Sequence, residues 1–229
     1  MLNKYSKEDK ALLAVDCIVF GFDGEDLKVL LIKRDFEPEK GKWSLIGGFL
    51  KKEEDLDKAA IRVLDHLTGL DNVYMEQFYV FSKVDRDPEE RTISVAYYAL
   101  IDIDSHNNEG THLETAKWFS LKEAPELIFD YDQMLDKAVA SLKRTIKINP
   151  IGFELLPDKF TMLQLQNLYE SVLDEKLDKR NFTSKINALG ILVRLNEKDK
   201  SSSKKGSYLY QFDTNKYNEK LKDGFVFKI

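Results

Sequence analysis

The pattern of apolar residues changes near residue 150, and this change limits the folds that the chain can adopt. Before it, runs with the composition of β-strands cover residues 11–22, 27–34, 43–49, 73–83 and 92–103. Two helical patterns accompany them, over residues 57–67 and 131–146. After it come short amphipathic helices and a hairpin. The sequence therefore predicts an α+β protein with two domains, residues 1–149 and 150–229.

The C-terminal part carries local signals for two helices and a β-hairpin. Thr161, followed three residues later by Gln164, is a capping box that predicts a helix start. Asp178 is the predicted N-cap of the following helix, which is expected to end at the next glycine. Strands over residues 191–195 and 208–212 are then expected to pair across a polar, lysine-rich loop. This part is therefore predicted to fold as short helices followed by a hairpin.

The composition and the N-terminal segment exclude several protein classes. Of 229 residues, 43% are hydrophobic and 33% are charged, so the chain can bury a core and is not expected to be disordered. A single cysteine, Cys17, excludes an internal disulfide and suggests a reducing compartment. The apolar run over residues 11–22 is interrupted by Asp16 and is shorter than the roughly 20 residues that span a bilayer. We therefore expect a cytoplasmic protein without a signal peptide or a membrane partner.

The charge is unevenly divided between the two predicted domains. Residues 150–229 contain 14 Lys and Arg against 11 Asp and Glu, a net charge of +3, which leaves −8 for residues 1–149 and −5 for the whole chain. The excess is sharpest over residues 176–205, with nine basic residues against three acidic ones. A basic patch on an acidic protein predicts a negatively charged partner such as nucleic acid.

The second helix of the C-terminal part predicts how such a partner would be bound. Phe182, Ile186 and Leu189 share one face of this helix, which leaves polar side chains on the outer face. Arg pairs with guanine and Asn with adenine in the major groove, whereas lysines neutralise phosphates. An ordinary solvated helix is the alternative for this face taken alone. The candidate DNA-binding residues are Lys179, Arg180, Asn181, Thr183, Ser184, Lys185, Asn187, Lys204 and Lys205.

A spaced set of residues in the N-terminal part resembles the Nudix box, G-x5-E-x7-R-E-U-x-E-E-x-G-U, in which U is apolar. The matching residues are Gly48, Glu54, Arg62, Leu64, Gly69 and Leu70. The preceding segment 43–47 is similar to the lead-in strand of that family, with Ile46 where proline is more usual. The resemblance implies a Nudix domain, which is an α/β/α sandwich.

Three carboxylates of the Nudix box are absent from this chain. The family uses them on one helix face to hold divalent cations against a substrate diphosphate. Their positions are occupied by Val63, His66 and Leu67, none of which offers a carboxylate oxygen. The other histidines, His106 and His112, match no zinc-binding spacing. We therefore expect no metal, no cofactor and no catalytic residue, and we interpret the domain as a former hydrolase that is kept for binding.

The whole chain resembles a family of Nudix-related transcriptional regulators that carry a C-terminal winged helix. The segments with this resemblance are 85–88, 91–97, 129–132, 155–169, 177–186 and 206–212. The resemblance implies a winged helix-turn-helix domain that binds double-stranded operator DNA. One winged helix contacts only a few base pairs, so we expect a homodimer on two half-sites.

A pocket without catalytic carboxylates suits a sensor, which binds a ligand without consuming it. Relatives in the resembled family are regulators that sense ADP-ribose or regulators of sugar catabolism, such as L-arabinose repressors. Because the N-terminal domain carries −8 and has no evident metal site, we expect a neutral sugar as the small-molecule effector, with ADP-ribose second. The candidate effector-binding residues are Phe22, Lys33, Arg34, Trp43, Gly48, Asp85 and Arg86.

We expect the protein to be a repressor that its effector releases from DNA. The sequence leaves two alternatives to this function. Glu54 and the intact frame of the box would suit an active Nudix hydrolase of ADP-ribose or another nucleoside diphosphate derivative. The winged helix would also suit a module that docks another protein. Metal-dependent phosphate release would identify the hydrolase, and insensitivity of binding to salt would identify the docking module.

Overall fold

The fold is described by a computed structural model over residues 7–106, 116–201 and 205–229. The strands are β1 (Leu12–Phe22), β2 (Leu27–Lys33), β3 (Trp43–Ser44), β4 (Ile46–Phe49), β5 (Tyr74–Phe81), β6 (Thr92–Asp102), β7 (Ala116–Ser120), β8 (Phe160–Thr161), β9 (Leu192–Asp199) and β10 (Ser207–Phe212). The helices are α1 (Leu56–Thr68), α2 (Ile103–His106), α3 (Tyr131–Thr145), α4 (Met162–Leu173), α5 (Lys179–Leu189) and α6 (Thr214–Lys222). A 3₁₀ segment, Pro150–Leu155, joins α3 to β8. Within the described ranges, no helix combines the length and the apolar character needed to cross a membrane.

A seven-stranded sheet forms the centre of the N-terminal part. Its order is β3-β2-β1-β6-β5, with β4 also pairing with β1 and β7 with β2. β1 lies parallel to β6, and it pairs antiparallel with β2 and β4. Because β1 has neighbours along its length and is covered on both faces, its sequence is almost continuously apolar rather than alternating.

The side chains of β1 alternate between two apolar cores. Val15, Cys17 and Val19 belong to the core under α1, whereas Ile18 and Phe20 belong to the core under α3 and the C-terminal part. All five side chains are fully buried. Helices on both faces of one mixed sheet make an α/β/α sandwich, which confirms the predicted α+β fold.

The helices of the sandwich begin and end close to the predicted residues. The Asp55 side chain caps α1 by accepting a hydrogen bond from the Lys58 N–H at 2.9 Å. Gly69 ends α1 with a φ of 71°, a left-handed conformation that glycine adopts without a steric penalty. The predicted helices over residues 57–67 and 131–146 differ from α1 and α3 by at most one residue at each end.

The C-terminal part is a winged helix-turn-helix, as the family resemblance implies. Its three-stranded antiparallel sheet has the order β8-β10-β9 and packs with α4 and α5. The predicted capping box is present, since the Gln164 N–H donates to Thr161 Oγ1 at 3.2 Å and the Thr161 N–H donates to Gln164 Oε1 at 2.8 Å. Asp178 caps α5 by accepting from the Asn181 N–H at 2.8 Å. Gly190 ends α5 with a φ of 63°.

Several elements differ from the expectation, and three of them show why. Strand β9 continues to Asp199 instead of ending at residue 195, because Lys198 and Asp199 still pair with β10. Strand β7 was not predicted, and it forms only by pairing with the distant strand β2. Helix α6 was not predicted either, because Tyr217 and Leu221 are its only apolar residues and neither of them is fully buried.

The two parts of the chain share one continuous apolar core. Leu165, Leu168 and Tyr169 of α4 are fully buried in the same cluster as Phe20 of β1. Since the chain passes through this core from α3 into β8, the domain boundary at residue 150 stays a prediction.

Candidate functional site

A cavity of about 250 Å³ opens where β1 begins and β2 ends. Its walls also include β4, α1 and the segments that precede β6 and α3. The charged and phenolic side chains that line it include Asp16, Lys33, Arg34, Asp35, Arg86 and Tyr131. A larger cleft of about 630 Å³ lies between α3 and α4, but it contains none of the predicted effector residues.

A buried network of polar side chains centred on Asp16 lines the smaller cavity. The Tyr131 hydroxyl donates to Asp16 Oδ1 at 2.8 Å, and the Ser94 hydroxyl donates to Asp16 Oδ2. Arg86 donates to Asp130 from Nε at 3.0 Å and from Nη2 at 2.9 Å, and Nη2 also lies 3.7 Å from Asp16 Oδ2. The charge on Arg86 is therefore already balanced by two carboxylates.

Burial controls the protonation of this network. Burial raises the pKa of Asp16 above its ordinary value, although the hydrogen bonds from Ser94 and Tyr131 and the charge of Arg86 act in the opposite direction. Burial and the neighbouring Asp16 carboxylate raise the pKa of Tyr131. Its hydroxyl group therefore stays protonated and donates a hydrogen bond to Asp16. A buried network whose members satisfy one another gives this wall of the cavity a fixed shape.

Lys33 and Arg34 differ from Arg86 because they have no acidic partner in the part of the chain that the structure describes. Lys33 Nζ lies 5.3 Å from the ring centroid of Trp43, and the Arg34 guanidinium carbon lies 3.7 Å from that of Phe36. Neither cation forms a salt bridge with a described carboxylate. Arg34 Nε is buried and has no hydrogen-bond partner in the described part of the chain. These two cations are therefore available to an anionic ligand.

Four of the seven predicted effector residues line this cavity. They are Lys33, Arg34, Gly48 and Arg86. Phe22 instead lies at the opposite end of β1, with its ring buried in the core. Trp43 packs edge-on against Phe119, with ring centroids 4.8 Å apart. Asp85 is exposed on a loop, and Asp87 lines the cavity in its place.

Val63, His66 and Leu67 occupy the positions on α1 at which the Nudix box has carboxylates, and the three side chains differ in their exposure and contacts. Val63 is 3% exposed and packs so closely on Gly48 that a Cβ on this glycine would lie 2.7 Å from Val63 Cγ2. Leu67 lines the cavity, and His66 is exposed. Among the described residues, no cluster of three or more His, Cys, Asp or Glu side chains is suited to a metal ion. The side chains of Val63, His66 and Leu67 therefore do not fit the divalent cations that the Nudix fold implies.

The carboxylate that the box retains, Glu54, forms an ion pair with Arg62. Arg62 Nε donates to Glu54 Oε2 at 2.8 Å, and Arg62 Nη2 donates to the Phe49 carbonyl at 3.0 Å. Glu54 Oε1 also accepts from the Lys51 N–H at 2.8 Å. The hydrogen bonds from Arg62 lower the pKa of Glu54 to about 2. Both residues therefore hold the loop between β4 and α1 in place.

The outer face of α5 presents the predicted DNA-binding residues to solvent, and the predicted inner face is buried. The exposed side chains are Lys179, Arg180, Asn181, Ser184, Lys185 and Asn187, while Thr183 is half-buried. The wing is the hairpin formed by β9, β10 and the loop between them. In this wing, Lys205 is exposed and Lys204 lies outside the described residues. No described carboxylate pairs with Lys179, Arg180 or Lys185, so this face keeps its positive charge.

The wing adds one cation, Arg194, that the sequence did not assign to this surface, beside Lys198, which was expected to neutralise phosphates there. Tyr208 is flanked by the guanidinium carbon of Arg194 and by Lys198 Nζ, each 4.5 Å from its ring centroid. Arg194 and Asn187 line a groove of about 240 Å³ between the wing and α5. Arg194 was not predicted because no local pattern shows that its side chain lies beside Asn187 of α5.

Comparisons with known families agree with this architecture. Residues 10–140 match the family described as the NUDIX domain. Residues 152–212 match the family described as the NrtR DNA-binding winged helix domain. The two matches follow the order of the two parts in the structure.

Two known proteins resemble the chain in sequence. The ADPR responsive transcriptional repressor NtrR of Acinetobacter baylyi is 33% identical over 223 residues, which are 95% of this chain and 89% of that protein. The ADP-ribose pyrophosphatase of Methanocaldococcus jannaschii is 33% identical over 134 residues, which are 58% of this chain and 76% of that protein. The resemblance to the repressor therefore includes both parts of the chain.

Crystal structures of Shewanella oneidensis NrtR resemble the fold. The protein alone has 26% identity and a TM-score of 0.78, covering 88% of this chain and 94% of that one. Its complex with a 27mer DNA has 26% identity and a TM-score of 0.76, covering 87% and 93%. Its NUDIX domain complexed with ADP ribose has 27% identity and a TM-score of 0.52, covering 62% and 99%. The chain therefore belongs to the NrtR family, in which a Nudix domain is joined to a DNA-binding winged helix.

Proposed function

We propose that this protein is a transcriptional repressor that binds operator DNA through its winged helix and releases it when ADP-ribose binds in the cavity of the Nudix domain. The observation that carries the proposal is the resemblance to the ADP-ribose-responsive repressor of A. baylyi over nearly the whole chain. The ADP-ribose pyrophosphatase of M. jannaschii matches only 58% of the chain, so its resemblance does not account for the winged helix.

The surface of α5 supports operator binding. Arg180 and Asn187 are exposed on this helix and carry groups that pair with guanine and adenine in the major groove. The unpaired cations Lys179 and Lys185 suit phosphate contacts. Two copies of such a domain reach two half-sites about one helical turn apart, so a homodimer is part of the proposal.

ADP-ribose replaces the neutral sugar that the net charge of the Nudix domain had favoured. The relatives named above are described by ADP-ribose, and none of them is described by a sugar. The average charge misleads because it does not describe the cavity, where Lys33 and Arg34 have no acidic partner among the described residues. Unpaired cations beside a cavity suit an anionic ligand such as ADP-ribose, whose diphosphate carries the negative charge.

The β1–β2 hairpin supports a direct connection between the cavity and the winged helix. The start of β1 and the end of β2 line the cavity. At the other end of the hairpin, the Leu27 N–H donates to Ser171 Oγ at 2.7 Å, and Asn167 Nδ2 donates to the Gly24 carbonyl at 3.3 Å. The side chains of Ser171 and Asn167, which form these two hydrogen bonds, both belong to α4. A ligand that shifts the hairpin therefore acts on α4.

Helix α4 continues this connection to the DNA-binding surface. The rings of Tyr169 in α4 and Phe182 in α5 pack with centroids 5.5 Å apart. Ligand and operator regulate one another if they favour different positions of α4 and α5, and the effect is reciprocal. ADP-ribose weakens DNA binding by the same factor by which DNA weakens ADP-ribose binding.

The proposal includes binding of ADP-ribose without hydrolysis. Val63, His66 and Leu67 replace the carboxylates that hold metal in the box, and Glu54 is paired with Arg62. We expect no phosphate release from ADP-ribose with Mg²⁺ or Mn²⁺ in an assay coupled to a phosphatase. Metal-dependent turnover would restore the hydrolase as the function of this domain.

The function is tested by fluorescence anisotropy of the full-length protein on labelled DNA from upstream of its own gene neighbourhood. The salt concentration is about 150 mM, which damps nonspecific electrostatic binding. We expect binding that unlabelled copies of the same DNA compete and unrelated DNA does not. Saturating ADP-ribose should raise the Kd about 5-fold or more, as for a typical coupling between two sites. L-arabinose should leave the Kd unchanged.

Variants of the cavity assign the ADP-ribose effect to its site. Lys33→Gln combined with Arg34→Gln should keep DNA affinity and lose the response to ADP-ribose. Lys52→Gln, a change of an exposed lysine outside the cavity, is the matched control and should respond like the wild type. Specific DNA binding that is insensitive to saturating ADP-ribose in the wild type would exclude it as the effector.

A further inference from the structure

One wall of the cavity contains an aromatic and cationic cluster formed by Arg34, Phe36 and Phe129. The guanidinium carbon of Arg34 lies 3.7 Å from the ring centroid of Phe36 and 5.5 Å from that of Phe129. The cluster offers flat, polarisable groups, in contrast to the hydrogen-bonding groups around Asp16. It therefore suits a planar part of a ligand rather than a sugar ring with its hydroxyls.

Each member of this cluster has a feature that packing within the protein leaves unexplained. Phe36 is 58% exposed although its side chain is large and apolar. Phe129 has a φ of 55°, which is unfavourable for a bulky residue, and such conformations are found preferentially at ligand-binding sites. Arg34 Nε is buried without a hydrogen-bond partner among the described residues, whereas buried donors are normally satisfied. One ligand beside the cluster accounts for these features together.

We propose that Arg34, Phe36 and Phe129 form the subsite for the planar base of a nucleotide-type effector. The proposal rests on the proposed function and identifies the part of the ligand that determines specificity. Every nucleobase has a π face that stacks on aromatic rings and guanidinium planes, and it carries nitrogen or oxygen acceptors. The base stacks on the exposed ring of Phe36, beside the guanidinium group of Arg34. Lys33 and the polar network around Asp16 are then left for the phosphates and hydroxyls.

The subsite makes the base necessary for tight binding. Ribose 5-phosphate shares the hydroxyls and a phosphate with ADP-ribose but has no base to stack. Base stacking on an aromatic side chain corresponds to a change of about 5- to 150-fold in affinity. The wild type should therefore bind ADP-ribose and AMP at least about 5-fold more tightly than ribose 5-phosphate.

The experiment is isothermal titration calorimetry of the full-length protein with ADP-ribose, AMP and ribose 5-phosphate. Phe36→Leu removes the ring but keeps an apolar side chain, and Phe36→Trp keeps a ring. Tyr79→Leu is the matched control, because Tyr79 is also an exposed aromatic residue with a cation, Lys137 Nζ, 4.3 Å from its ring centroid. Tyr79 does not line the cavity.

The proposal expects Phe36→Leu to weaken ADP-ribose and AMP about 5-fold or more and to change ribose 5-phosphate less than about 2-fold. Tyr79→Leu should bind all three ligands like the wild type, and Phe36→Trp, which keeps a ring, should keep the preference for the two ligands with a base. Arg34→Lys, which keeps the charge but loses the planar group and Nε, should weaken the two ligands with a base more than ribose 5-phosphate.

Two results would overturn the subsite. One is equal weakening of all three ligands by Phe36→Leu, and the other is no preference of the wild type for AMP over ribose 5-phosphate. Failure of the proposed function has a different signature, because ADP-ribose would then leave the anisotropy of bound operator DNA unchanged whatever the base preference of the cavity.

Discussion

The hydroxyl oxygen of Ser171 in α4 accepts a 2.7 Å hydrogen bond from the backbone N–H of Leu27, the first residue of β2. This bond joins the winged helix to the hairpin whose opposite end lines the cavity that we propose as the effector site. A hydrogen bond contributes to coupling between two sites when its strength differs between the DNA-bound and the ligand-bound arrangement. Ser171 is therefore the side chain with which the coupling between the two domains is best tested.

Ser171→Ala should reduce the effect of ADP-ribose on DNA affinity. The variant removes a hydrogen bond with a typical net contribution of about 1 kcal/mol, which corresponds to about 5-fold in an equilibrium constant. We expect the ratio of the Kd values for operator DNA with and without ADP-ribose to fall by up to about 5-fold. Fluorescence anisotropy gives this ratio, and calorimetry should show that affinity for ADP-ribose without DNA changes little.

The control for this experiment is Ser82→Ala. Ser82 is exposed, and its backbone carbonyl, which the substitution retains, accepts a hydrogen bond from Arg91 Nη2. The Kd ratio of this variant should equal that of the wild type. An unchanged ratio in Ser171→Ala would show that the contact at Leu27 does not transmit the signal.

Arg180→Ala should weaken operator binding. Arg180 is exposed on α5 and has no acidic partner among the described residues. An Arg that pairs with guanine contributes about 1–3 kcal/mol of discrimination against the wrong base, so we expect a loss of about 5- to 150-fold on the operator. Anisotropy titrations on operator and unrelated DNA should show a much smaller loss on unrelated DNA.

Lys185→Ala provides the comparison for a phosphate contact. This variant should weaken both DNAs similarly and should reduce the slope of log K against log salt by about 1. If Arg180→Ala weakens operator and unrelated DNA equally, Arg180 contacts phosphate rather than a base.

The sequence predicted the elements that depend on neighbouring residues. The capping box of α4 joins Thr161 to Gln164, which are three residues apart, so the pattern alone identifies the helix start. The exposed second half of β9 was missed because Glu197 and Lys198 are polar and carry no strand pattern. Helix α6 was missed for a related reason, since only two of its residues, Tyr217 and Leu221, are apolar.

The cavity was only partly predictable because its contacts join distant parts of the chain. Asp16 was recognised only as an interruption of an apolar run, yet it meets Ser94 at a separation of 78 residues and Tyr131 at a separation of 115. The family segment 129–132 did contain Asp130 and Tyr131, but no local pattern gives their partners. Phe22 was assigned to the cavity from its place in the fold, and the strand instead buries it at the far end.

Arg86→Gln should destabilise the folded protein in a pH-dependent way. The variant leaves Asp16 and Asp130 buried without their cation, and breaking a buried ion pair costs about 3–5 kcal/mol. Burial already raises the pKa of Asp16, and loss of Arg86 raises this pKa further. A pKa that is higher in the folded state means that protons stabilise the fold, so the loss should be largest at pH 7.5 and smaller at pH 5.5. Urea unfolding at both pH values measures it.

Arg62→Gln is the control with a different pH dependence. Its partner Glu54 has a pKa lowered to about 2, so the pair stabilises the fold above the ordinary pKa of 4.5 and loses this effect as the pH falls toward 2. The destabilisation by Arg62→Gln should therefore be the same at pH 7.5 and pH 5.5. An equal loss at both pH values in Arg86→Gln would contradict the assignment of its effect to buried carboxylates.

Gly48→Ala tests whether the face of α1 that carries Val63 packs tightly against β4. The new Cβ would lie 2.7 Å from Val63 Cγ2, and such overpacking costs about 1–3 kcal/mol. Val63→Ala alone should destabilise by leaving a cavity, but in the Gly48→Ala background it makes room for the new methyl group. The double variant should therefore be more stable than the sum of the single effects predicts, by about 1 kcal/mol or more. Chemical unfolding of the four proteins measures this coupling, and additive effects would show that Gly48 and Val63 are not packed against each other.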